Sequence, residues 1–331
     1  MSSYALRRPA STRLPERLVA VYLIVGLLGF RFSKIMRQPN SAALSSLQTL
    51  FETKRGRLLP LPPRLARLYG CLRMPLPRSH PHVFSNFVST LDGVVSLNSK
   101  GHASGGDISG FSAQDRMVMG LLRAIADVVI IGSGTLGVDR RHVWTAEAIF
   151  PALAGDFLQL RKALGKRSAP LNVIVSGSGA IDLRLPVFVS GKVQVLIVTT
   201  TKGAKRLCRQ NAPDSVEIHA IRSRTSAIPA SAILDAVRRV SQGGLILVEG
   251  GPRQLGDFYA ESLLDEQFLT LAPQIAGREV HDRRLSLVMG KAFAPSDTLW
   301  GTLTDVRRGS SHLFLRYSFP ESGSGQPGRP Q

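Results

Sequence analysis

The chain has 331 residues, 44% of them hydrophobic, and a formal net charge of +19, which is material for one large domain or two small ones. Two cysteines, Cys71 and Cys208, exclude a disulfide framework and a Cys-rich zinc site, and with no H-E-x-x-H or C-x-x-C spacing no metal is expected. Residues 1–80 carry 14 Lys and Arg against Glu16 and Glu52, whereas 81–331 carry 28 against 21 acidic residues; no basic motif interleaved with aromatics accompanies the charge, so no nucleic-acid partner is expected.

The start of the chain reads as a basic, apolar leader over 1–40 that the folded part does not need. Its uncharged run LVAVYLIVGLLGF, 18–30, spans 13 residues, short of the roughly 20 that a membrane span needs. Arg7, Arg8, Arg13 and Arg17 before it fit a signal peptide, an organellar transit peptide, or a stretch upstream of the true start of translation. A cytoplasmic location is expected, with an organelle or membrane surface as the alternative if 1–37 is a targeting segment. Residues 41–79, with PLPPR at 60–64, read as a linker or arm with one short helix near 63–70. The folded domain is placed at 80–320 and a disordered tail at 321–331.

From Val83 the texture changes. VFSNFV is a strand ending near Ser89. Met117, Leu121, Leu122 and Ile125 share one face of a helix over 112–126. ADVVIIGSGT is a buried strand entering a Gly turn, and 155–164 is a helix. NVIVSGSG and KVQVLIVTT are strands, PASAILDAVRRVS at 229–241 is a helix, and a strand then runs to Glu249. A helix at 252–262, the segment DEQFLTLAP and two strands near 299–306 and 312–319 close the domain. Apolar strands alternating with helices predict an α/β three-layer sandwich, with a mostly parallel central sheet and antiparallel C-terminal strands. Ligands of such sheets sit beyond the carboxyl ends of the strands. The Gly-rich turns at 132–134, 177–179 and 250–251 are expected to meet there.

LILVEGGPRQLGDF, 245–258, is the most informative of these passages. A strand ends in a carboxylate, two glycines admit a close backbone approach or a positive φ, and Pro252 starts a helix whose first N–H groups suit a diphosphate.

Five passages stand in order: NFVSTLDG at 86–93, GHASGGDISGFS at 101–112, LLRAIADVVIIGSGTLGVD at 121–139, PLNVIVSGSG at 170–179, and ILVEGGPRQLGDFYAESLLDEQFLTLAPQIAG at 246–277. Together they resemble the RibD C-terminal reductase family of riboflavin biosynthesis, whose fold is similar to dihydrofolate reductase. The H-x-E and P-C-x-x-C signatures of a zinc deaminase half are missing from this sequence. The resemblance implies NADPH-dependent reduction of a ribosylamino-pyrimidine 5′-phosphate to the ribitylamino compound, by an enzyme that is commonly a homodimer. It implies cofactor contacts at Val88, Val95, Thr135, Asp139, Ser176 and Gly177, and along Gly250, Gly251, Pro252, Arg253, Gln254, Leu255, Gly256 and Asp257. It implies substrate contacts at Asn86, Ser104, Arg123 and Glu249; Asp92 is weighed as a further contact against a plain turn residue. No catalytic acid or base is assigned.

This sequence departs from the family at Val94 and after Asp139, where Arg140 and Arg141 follow. Arg141 is a candidate for the substrate phosphate. Thr199, Thr200, Lys202 and Ser176 are candidates for reading a 2′-phosphate, and so for preferring NADPH over NADH. Whether the pyrimidine carries an amino or an oxo group stays open. The alternatives are a pterin or folate reductase on the same fold and a non-catalytic NADPH-binding paralogue.

Overall fold

The apolar runs VFSNFV, ADVVIIG, NVIVS, VQVLIVTT and LILV become strands. The computed structural model describes residues 44–75 and 79–319; the expectations for 1–40 and 321–331 lie outside the described residues. In chain order the strands are β1 (Gln48–Glu52), β2 (Arg57–Leu58), β3 (Arg73–Met74), β4 (His82–Ser89), β5 (Val94–Ser96), β6 (Val128–Gly132) and β7 (Leu171–Ser176). They continue as β8 (Val195–Thr200), β9 (Val216–Ile221), β10 (Leu245–Val248), β11 (Glu266–Leu271), β12 (Leu285–Ser286), β13 (Thr302–Gly309) and β14 (His312–Ser318). The helices are α1 (Pro63–Tyr69), α2 (Gly105–Ser109), α3 (Ala113–Ile125), α4 (Ser133–Val138) and α5 (Ala146–Ile149). After them come α6 (Ala154–Ala163), α7 (Pro186–Val189), α8 (Thr201–Leu207), α9 (Ala230–Val240) and α10 (Pro252–Ala260).

One ten-stranded sheet has the order β1-β13-β14-β11-β4-β10-β6-β7-β8-β9. From β11 to β9 every neighbouring pair is parallel. β14, β13 and β1 add an antiparallel edge. The expected α/β fold with a mostly parallel sheet and antiparallel C-terminal strands is the fold observed.

Both faces of the central parallel strands are covered, which is why β6, β7, β8 and β10 are largely apolar. Val129, Ile131, Ile174 and Ile197 point to one face and pack with Met117, Leu121, Phe157 and Leu160 from α3 and α6. Val128, Ile130, Val173 and Val198 point to the other and pack with Ile233, Val237, Leu255 and Phe258 from α9 and α10. α3 begins at Ser112, whose hydroxyl accepts from the Asp115 N–H at 3.3 Å. At its far end the buried Arg161 Nη1 donates to the carbonyls of Arg123, Ala124 and Ala126 at 3.2, 3.1 and 2.8 Å, which satisfies oxygens that the helix leaves unbonded.

The reading of 41–79 as a linker or arm is corrected for the described residues 44–75. The expected short helix is present as α1, but β1 pairs with β13, and Leu47, Leu59, Leu65, Leu68, Tyr69, Leu72 and Met74 are all buried in the core. Arg307, 1% exposed, clamps the segment down. Its Nη1 donates to Thr49 Oγ1 at 2.8 Å and to the Tyr69 carbonyl at 2.6 Å, and its Nη2 to the Cys71 carbonyl at 2.8 Å and Asp305 at 2.7 Å. Burial pushes the Tyr69 hydroxyl up to about 12. Among the described residues the folded unit therefore starts near Leu44 rather than near 80.

Candidate active site

The carboxyl ends of β4, β6 and β10 are adjacent, so the segments that leave them face a common space. A cavity of about 440 Å³ lies there, walled by Asn86 and Val88 of β4, Val95 of β5, Thr135 and Asp139 around α4, and Glu249 to Pro252 after β10. The Gly turn at 250–251 and Gly134 reach it, whereas the turn at 177–179 does not.

The turn after β10 is built without side chains where it meets the cavity. Gly251 is the residue before α10, with φ −64° and ψ 168°, and Pro252 opens the helix. A Cβ at Gly251 would meet nothing within 4 Å, so the space in front of it is open. A Cβ at Gly250 would lie 1.8 Å from Oε1 of Gln254. Both atoms of the Gln254 amide are buried without a hydrogen-bond partner. The expected reason for the glycines is thus corrected in part: φ is not positive at Gly251, Gly250 is crowded by the chain's own Gln254 side chain, and only Gly251 faces open space.

Arg123 and Glu249, assigned separately to substrate, hold each other. Arg123 is 3% exposed. Its Nε donates to both carboxylate oxygens of Glu249, at 3.1 and 3.0 Å, and its Nη2 donates to Oε2 at 2.7 Å. This is a forked, buried pair. The remaining Nη1 reaches Nε2 of His142 at 2.6 Å and the Thr145 carbonyl at 3.3 Å. Burial, with the Arg123 charge behind it, drives His142 down to about 3. The ring is neutral at pH 7, Nε2 accepts from Arg123, and the proton sits on Nδ1. Asn172 fixes this segment by accepting from the Trp144 N–H at 3.2 Å and donating to the Trp144 carbonyl at 3.1 Å.

Asn86 and Ser104 line the cavity. Ser104 donates to Asp107 at 2.8 Å from Oγ and 3.2 Å from its N–H. Thr135 is inside α4, and Asp139 ends that helix, its N–H bonded to the Thr135 carbonyl at 3.0 Å; neither side chain caps a helix start. Burial raises the Asp139 carboxyl and the Arg123 charge opposes the rise.

Other expected residues lie elsewhere. Arg141 is exposed and off the cavity wall, because the turn after Asp139 points it outward while His142 and Trp144 turn in. Ser176 is 2% exposed and Gly177 is covered, since a Cβ there would lie 1.8 Å from the Ser226 carbonyl. Thr199 and Thr200 are buried and donate to the carbonyls of Ser176 and Gly177 at 2.6 and 2.7 Å, so their hydroxyls serve the fold. Lys202 is exposed. Of the segment after Pro252, Arg253 is exposed, Leu255 is in the core, Gly256 packs against Met289 and Val288, and Asp257 pairs with Lys291 at 3.1 Å. Asp92 is a turn residue: Thr90 and the N–H groups of Ala276 and Gly277 hold its carboxyl, at about 2. The sequence reading missed Asp115, Arg116, Met119, His142 and Trp144 on the wall. The only signal for His142 was its place in the segment that departs from the family.

A family model for the RibD C-terminal domain matches residues 81–287. The chain belongs to the RibD C-terminal domain family. Among solved structures it is similar to a pyrimidine reductase-like protein from Corynebacterium diphtheriae, at 20% identity and TM-score 0.58, covering 73% of this chain and 92% of that one. It is also similar to Acinetobacter baumannii RibD, at 19% identity and TM-score 0.54, over 73% of this chain and 59% of that longer one. The riboflavin biosynthesis reductase of Saccharomyces cerevisiae is 12% identical with TM-score 0.50, over 75% of this chain and 93% of that one. Among curated proteins none matches. Among the described residues no helix is long and apolar enough to cross a membrane.

Proposed function

We propose that this RibD-family chain is an NADPH-dependent reductase that converts a ribosylamino-pyrimidine 5′-phosphate to its ribitylamino form. The observation that carries the reading is that the Gly250–Gly251 turn and the Arg123–Glu249 pair wall one cavity. The open space before Gly251, the N–H groups at the start of α10 and the unpartnered Gln254 amide fit a dinucleotide diphosphate. When bound, NADPH would supply the hydride that reduces the sugar C1.

The chain's own residues position the other reactant. Arg123 fixes the Glu249 carboxylate, whose remaining lone pairs can accept from the amino groups of a pyrimidine. His142 presents its Nδ1 proton as a neutral donor. Val88 and Val95 give the cavity an apolar stretch of wall. A homodimer, a cytoplasmic location and the preference for NADPH over NADH belong to this proposal. Anaerobic consumption of NADPH with the amino and the oxo pyrimidine, followed by product mass, tests it. A product heavier by two hydrogen atoms is expected from one of the two. Turnover of dihydrofolate alone, or NADPH binding with no turnover, overturns it.

A further inference from the structure

Two arginines line the cavity among the described residues, and only one is occupied. Arg123 is spent on Glu249 and His142. The side chain of Arg116 makes no hydrogen bond or ion pair among the described residues, and its Nε is buried without a partner. An unmatched guanidinium N–H in a cavity wall is costly unless a ligand meets it.

Arg116 stands in the first turn of α3, seven residues before Arg123. Seven residues are two helical turns, so the two side chains leave one face of the helix about 10 Å apart along its axis. Met119, which also lines the cavity, stands between them. That separation suits a molecule whose pyrimidine end lies at Glu249 and whose other end is an anion joined through an extended five-carbon chain. Asp115 feels the Arg116 charge, but no carboxylate forms an ion pair with Arg116 among the described residues. Asp107 is engaged by Ser104 and His102, and burial pushes the Asp115 carboxyl up, which weakens it as a counter-ion. Arg141, the cation that the sequence offered for a phosphate, is off the cavity.

We propose that Arg116 anchors the phosphate monoester of the substrate, its buried Nε and a terminal N–H forking onto two phosphate oxygens. The proposal rests on the reading of the site as a ribosylamino-pyrimidine phosphate reductase.

The test compares wild type, Arg116→Ala and Arg116→Lys, with the phosphorylated substrate, with the same substrate lacking its phosphate, and with ribose 5-phosphate as a probe. For Arg116→Ala the expected result is a KM raised about 10- to 100-fold for the phosphorylated substrate. KM for the dephosphorylated one stays near wild type, and NADPH affinity is retained. Arg116→Lys should recover part of the loss, because it restores charge without the fork. Ribose 5-phosphate should raise the Tm of wild type and not that of Arg116→Ala. An unchanged KM for the phosphorylated substrate, or an equal rise for both substrates, overturns the proposal. If wild type turns over neither pyrimidine, the functional reading fails by itself; the ribose 5-phosphate shift then decides for Arg116, and its absence from wild type overturns the anchor.

Discussion

Glu249 and Arg123 are buried together, so neither can be changed without leaving the other short of a partner. Glu249→Gln keeps the size of the side chain and leaves the guanidinium a single neutral acceptor. If Glu249 also orients the pyrimidine, kcat/KM falls about 10- to 100-fold with NADPH affinity retained, and Tm falls as well. A lower Tm with unchanged kcat/KM would leave the pair a purely structural one. His142 provides a pH test. Its folded value, about 3, lies below the ordinary histidine value of 6.5, so the unfolded chain binds the proton first. The stability it contributes is complete above the unfolded value and is lost as pH falls from there toward 3. His142→Gln should therefore remove a pH-dependent loss of at most about 1.4 kcal/mol per pH unit, read as the difference between urea unfolding curves of wild type and variant from pH 7 to 4. Parallel curves would show that the ring is not held neutral. Glu249 and Arg123 were legible because each sits in a short motif beside a strand or on a helix. His142 was not, because what marks it is contact with Arg123, 19 residues away.

At the scale of elements, the turn joining β10 to α10 is the one whose sequence and geometry agree most closely. Gly251 has an extended backbone and open space before it, so Gly251→Val tests the ligand more than the fold. The lost preference for Gly before a helix costs about 1 kcal/mol, while the branched side chain would stand where the diphosphate is placed. The expected outcome, measured by fluorescence titration, is loss of NADPH binding with a Tm within a few degrees of wild type. Normal binding would make the turn structural only. The central strands β6, β7, β8 and β10 were readable because burial on both faces makes them largely apolar, and β4 was readable through Val83, Phe84, Phe87 and Val88. β9 was missed because, at the edge of the sheet, VEIHAI mixes half-buried and exposed positions with none fully buried and carries a charge. β11 was missed because it opens with Glu266 and Gln267. Their polar side chains are buried through partners distant in sequence: Glu266 with His82 and Arg316, Gln267 with Ser85.

The whole molecule depends on residues that read as a linker. Leu65, Leu68, Tyr69, Leu72 and Met74 are buried, and each such side chain is worth about 1.5–3 kcal/mol, so together they rival a domain's entire stability of about 5–15 kcal/mol. Removing 1–40 is expected to leave a cooperative thermal transition and unchanged turnover. Removing 1–79 is expected to abolish that transition, since β1 and α1 go with it; a folded, active chain starting at residue 80 would contradict the packing described here. The proposed reduction belongs to the cavity between the Gly250–Gly251 turn and the Arg123–Glu249 pair. Its most direct test is a single turnover with NADPH deuterated at both hydrogens of the nicotinamide C4, in the presence of the ribosylamino-pyrimidine 5′-phosphate. The account predicts one deuterium at the ribityl C1 of the product, located by mass fragmentation. NADPH consumption with no deuterium at that carbon would contradict it.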